Sequence, residues 1–68
     1  MDTSFAVRLK AAREKSTMTQ QELADRLNVG REAVARWETG ARTPSIDTAA
    51  EIAKALGLSL DKLGGLKA

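Results

Sequence analysis

The chain has 68 residues, 11 Lys or Arg against 9 Asp or Glu for a net charge of +2, and neither cysteine nor histidine. A chain this short folds around one core and buries only about 60% of its unfolded surface, which leaves no room for an enclosed substrate cavity. The missing residue types remove disulfides, thiolate metal sites, a cysteine nucleophile, the commonest metal ligand and the usual general base near neutral pH.

No metal or cofactor is expected on these grounds, and the chain does not read as an enzyme. Glu22, Asp25 and Glu32 have no cleft to share, and Gly64-Gly65 lacks the flanking strand and the Lys-Ser/Thr pattern of a phosphate loop. No apolar run approaches the roughly 20 residues of a membrane span, and Met1-Asp2-Thr3 does not open like a signal peptide. A soluble, cytoplasmic protein with no membrane partner is the expectation. The charge is uneven: residues 1–42 carry 8 Lys or Arg against 6 Asp or Glu, whereas residues 43–68 carry 3 of each. The excess that a basic surface needs therefore lies in the first part of the chain.

Ala, Leu, Glu, Lys and Arg dominate, and nowhere do β-branched and aromatic residues alternate over a strand's length, so every element reads as helix. The first starts near Thr3 or Ser4 and ends near Lys15. Phe5, Leu9 and Ala12 share one stripe of it, and Arg13 falls on the border of that stripe, an odd place for a cation.

Thr19 followed by Glu22 is a capping box that opens the second helix, with Met18 and Leu23 as its hydrophobic staple. Leu23, Ala24 and Leu27 form its apolar face, and Asn28, which tolerates the left-handed conformation, stops it.

Gly30 serves as N-cap of the third helix, residues 31–38, without the side-chain oxygen of Ser or Thr. Val29 and Val34 supply a second staple, and Gly40 ends the helix. Ala33, Val34 and Trp37 span about 200–300° around this helix, while Arg31, Ala35, Thr39, Glu32 and Arg36 span about 0–140°. The first arc suits a core, so Trp37 is expected there and not stacked on a ligand.

Pro44 biases Thr43 to extended backbone, and Ser45 caps the fourth helix. Its expected buried residues are Ile46, Ala49, Ala50, Ala53 and Leu56, with Gly57 as a left-handed stop against Leu58. Ser59 caps a short fifth helix, residues 60–63, before a Gly64-Gly65 hinge and a flexible tail over residues 64–68. The expectation is one compact all-α domain of five helices over residues 1–63. Its core comprises Phe5, Leu9, Leu23, Ala24, Leu27, Val34, Trp37, Ile46, Ala53 and Leu56.

Two helices of about eight residues joined by the turn Asn28-Val29-Gly30 describe a helix-turn-helix. The stretch TQQELADRLNVGREAVARWETGARTPS resembles the Xre-type (Cro/repressor-like) helix-turn-helix regulators, with T-Q-x-E-L-A, W-E-x-G and P-S as its specific parts. The likeness covers the chain from about Leu9 to Leu63.

That resemblance implies a transcriptional regulator of double-stranded DNA, a repressor acting as a homodimer on a palindromic operator. The third helix would lie in the major groove, with Arg31, Glu32, Ala35 and Arg36 as base-contact candidates. Arginine's planar fork matches guanine O6 and N7, a glutamate accepts from cytosine N4, and alanine meets a thymine methyl. Gln20 and Arg42 would contact phosphates, and Arg13 and Glu38 would form a structural salt bridge between the first and third helices. The fourth and fifth helices would form the dimer surface.

The sequence departs from the family pattern at Asn28, where glycine is frequent, and at Gly30, where Ser or Thr is frequent. The glycine cap removes a hydroxyl from the readout. Bland readings stand beside these: Glu32 can pair with Arg36 four residues on, and an exposed arginine is ordinarily a solvated side chain. The competing function is a protein-interaction module, such as an antitoxin whose main partner is another protein, with Leu60, Leu63 and Leu66 as its apolar patch.

Overall fold

The computed structural model describes residues 5–58 and Leu63. Among these, four helices follow one another with no strand: α1 (Phe5–Lys15), α2 (Gln20–Leu27), α3 (Arg31–Thr39) and α4 (Ile46–Ala55).

The boundaries follow from local chemistry. Thr19 Oγ1 accepts from the Glu22 backbone N–H at 3.0 Å, and Glu22 Oε1 accepts from the Thr19 N–H at 2.8 Å, which satisfies two otherwise orphaned donors at the start of α2. Asn28 ends α2 at φ 60°, its N–H directed to the Ala24 and Asp25 carbonyls. The Val29 N–H reaches the Ala24 carbonyl at 3.0 Å, so the turn into α3 is tied at both residues. Gly30 caps α3 without a side-chain bond, and Gly40 closes it at φ 83°. At α4 the Ser45 hydroxyl accepts from the Thr48 N–H. One left-handed residue has no signal in the sequence: Thr17, at φ 55°, closes α1 while the Met18 N–H bonds back to the Arg13 carbonyl.

α3 packs against both α1 and α2, and α4 packs against α2. The core between them holds Phe5, Leu9, Leu23, Ala24, Val34, Trp37, Ala49, Ile52, Ala53, Leu56 and Leu63. Met18, Leu27 and Val29 are half-buried against it, so the two residues flanking α2 and the turn after it are anchored by packing as well as by caps.

Two expectations on α4 are corrected. Ile46 is 57% exposed and Ala50 is exposed, whereas Ile52 is fully buried. The buried stripe is Ala49, Ile52, Ala53 and Leu56, the i, i+3, i+4, i+7 spacing of one helical face. Ile46 is the first helical residue, and its Cα–Cβ bond tilts toward the helix N-terminus, so the side chain projects past the packed region. Leu27 belongs to the margin of the core and not to its interior. The expected fifth helix over residues 60–63, the Gly64-Gly65 hinge and the tail lie outside the described residues, apart from Leu63. That leucine is buried in the core and so is not part of an exposed patch.

Candidate nucleic-acid interface

α3 is two-faced. Val34 and Trp37 are buried and Ala33 is half-buried, while Arg31, Glu32, Arg36 and Thr39 are exposed and Ala35 is half-buried beside them. Burying Val34 and Trp37 fixes the rotation of α3 about its own axis, and that rotation is what turns both arginines outward. Among the described residues neither Arg31 nor Arg36 has an ion pair, and Glu32 does not pair with Arg36. The Glu32 carboxylate instead folds back toward the helix start, its Oε1 3.0 Å from where a Cβ on Gly30 would stand.

The far end of α3 is held by charge. Arg13 Nε donates to Glu38 Oε2 at 2.5 Å and Nη2 donates to Glu38 Oε1 at 3.0 Å, while Nη1 donates to the Met18 carbonyl at 2.7 Å. One guanidinium thus ties α1 to α3 and to the chain entering α2. The hydrogen bond to Glu38, aided by the attraction of its charge and outweighing the cost of burial, raises the Arg13 pKa. Their side chains are 10% and 3% exposed, and no buried side-chain N or O among the described residues lacks a partner.

Gln20 joins this cluster, its Nε2 donating to Glu38 Oε1 at 3.1 Å. Nothing in the sequence signals that bond, because its partners stand 18 positions apart on different helices. Arg42 is exposed, and its backbone N–H bonds to the Arg36 carbonyl at 3.2 Å, folding the loop back onto the end of α3. The fold therefore assembles Arg31, Glu32 and Arg36 on one open face, with Gln20 and Arg42 near its C-terminal end. No three His, Cys, Asp or Glu side chains among the described residues converge to hold a metal ion, and none of the helices is long and apolar enough to cross a membrane.

Two short helices, a three-residue turn between them, and a second helix with one face in the core and one charged face in solvent define a helix-turn-helix unit. The helix-turn-helix family matches residues 9–63. The chain belongs to that family, in its Xre-type branch.

The HTH-type transcriptional regulator ImmR of Bacillus subtilis is 37% identical over 62 residues, covering 91% of this chain and 49% of ImmR. The crystal structure of the P22 c2 repressor in complex with a synthetic operator superposes with a TM-score of 0.84 at 27% identity, covering 91% of this chain and 94% of that one. Apo-HppE superposes with a TM-score of 0.81 at 37% identity over 87% of this chain, but only 33% of its own length. The chain spans about half the length of the curated relatives it matches.

Proposed function

We infer that this protein is a sequence-specific, double-stranded-DNA-binding transcriptional regulator, a repressor that inserts α3 into the major groove. The observation that carries the reading is the pair of exposed arginines, Arg31 and Arg36, which have no ion pair among the described residues, on the face of α3 opposite Val34 and Trp37. Arg31 and Arg36 read base edges, Glu32 and Ala35 add contacts in the same groove, and Gln20 and Arg42 bind phosphate oxygens. The ImmR likeness and the operator-bound P22 c2 repressor support this reading.

The unit spans residues 1–63 and works as a homodimer through α4 and the segment after it that the sequence leads one to expect as a fifth helix. One copy has few side chains for base edges, each good contact discriminating by about 1–3 kcal/mol. Two copies on a palindrome double the contacts, with half-sites about 34 Å apart when they occupy successive turns. The protein-interaction reading has less support: of the three leucines proposed for its patch, Leu63 is in the core.

Selection from randomised duplexes at near-physiological salt tests the reading, with wild type and Arg31→Ala/Arg36→Ala side by side. A palindromic consensus from wild type, lost in the double variant, is the expected result. No enrichment by folded wild type would mean that this chain does not read DNA by itself.

A further inference from the structure

Glu38 does more than close a salt bridge, because the orientation of the Gln20 amide follows from it. A carboxylate can only accept hydrogen bonds, so the Gln20 amide must turn its nitrogen, not its oxygen, toward Glu38. The 3.1 Å contact from Gln20 Nε2 to Glu38 Oε1 uses one of the two N–H bonds on that nitrogen. The second N–H has no acceptor among the described residues. Gln20 is the first residue of α2, where the Gln20 and Gln21 backbone N–H groups also lack helical acceptors. Glu38 is in turn immobilised by the two bonds from Arg13, and Arg13 by its bond to the Met18 carbonyl.

We propose that Glu38 is a positioning residue for DNA binding: the chain Arg13–Glu38–Gln20 holds one amide N–H aimed outward at the start of α2, where it donates to a backbone phosphate oxygen. The proposal rests on the regulator reading above and adds to it a route from a buried ion pair to a surface contact. Freed from Glu38, the amide would rotate, and half of its orientations would present the carbonyl oxygen to the phosphate.

The test uses the whole chain on the selected consensus duplex, with single phosphates replaced in turn by neutral methylphosphonates. Wild type is expected to bind about tenfold more weakly when one particular phosphate per half-site is neutralised. Gln20→Ala is expected to lose about tenfold on the unmodified duplex and to become insensitive at that phosphate. Glu38→Gln, assayed at a temperature where circular dichroism shows it folded, is expected to lose the same sensitivity. The double variant should bind no more weakly than the weaker single one.

A folded Glu38→Gln that still senses that phosphate, or losses that multiply in the double variant, would overturn the proposal. If Glu38→Gln does not fold, the side-chain amide of Gln20 in wild type decides by NMR. One slowly exchanging, downfield-shifted proton supports the bond to Glu38, and two protons exchanging like a free amide overturn it. A folded wild type that selects no duplex defeats the regulator reading first, and the positioning role with it, whatever the amide shows.

Discussion

Arg13 and Glu38 stand 25 positions apart and meet through two parallel hydrogen bonds, Nε to Oε2 and Nη2 to Oε1. Because Glu38 lies on α3 between the buried and the exposed faces, this pair sets where the end of the helix sits on α1. It also supplies the acceptor for Gln20.

Removing one partner leaves the other charge buried. Glu38→Ala is expected to destabilise the fold by about 3–5 kcal/mol, read from urea denaturation. Arg13, whose pKa is raised in the fold, contributes stability that is fully present below its unfolded pKa and lost only as pH rises through the folded one. Alkaline titration through the moderately basic range should therefore leave its contribution intact.

The two isoleucines of α4 separate packing from composition. Ile52→Ala should cost about 2–5 kcal/mol, since the side chain is fully buried. Ile46→Ser should change stability by no more than about 0.5 kcal/mol. Equal losses in thermal melts of the two variants would contradict the stripe assigned to α4.

Left-handed backbone gives predictions of opposite sign at two positions. A Cβ on Gly40 would meet nothing within 4 Å among the described residues, so Gly40→Ala tests backbone conformation and should cost about 1–2 kcal/mol at φ 83°. Thr17, β-branched at φ 55°, already bears that strain, and its hydroxyl bonds to the Ser16 carbonyl. Thr17→Gly should raise the melting temperature by relieving that strain, an effect reduced by the entropy glycine adds to the unfolded chain.

Base readout and phosphate binding have different signatures. Arg31→Ala should relax preference at particular base pairs in a selection experiment. Arg42→Ala should weaken all duplexes alike and reduce the slope of log K against log salt by about one unit. The opposite pattern in these two variants would exchange their roles.

Much of the fold is legible because its signals are local. The Thr19/Glu22 capping box, the left-handed Asn28 and the Ser45 cap each act within a few residues, and the structure contains all three. The two faces of α3 are likewise a matter of 100° per residue. On α4 local pattern and packing diverge. Ile46 and Ala50 look as apolar as Ile52, but only contact with α2 and the rest of the core decides which of them is covered. Thr17 carries no such signal: it closes α1 in a turn where its N–H bonds to the Glu14 carbonyl and the Met18 N–H to the Arg13 carbonyl, in a conformation that its own β-branched side chain disfavours.

By itself, then, the sequence determined the helices of the helix-turn-helix, their caps and the charged face of α3, because periodicity and capping are near-neighbour physics. Only the tertiary structure decided that Ile52 and not Ile46 enters the core, that Leu63 is covered, and that the Gln20 amide faces Glu38. Those outcomes depend on groups far apart in the chain approaching within a few ångströms, and no local pattern encodes such an approach.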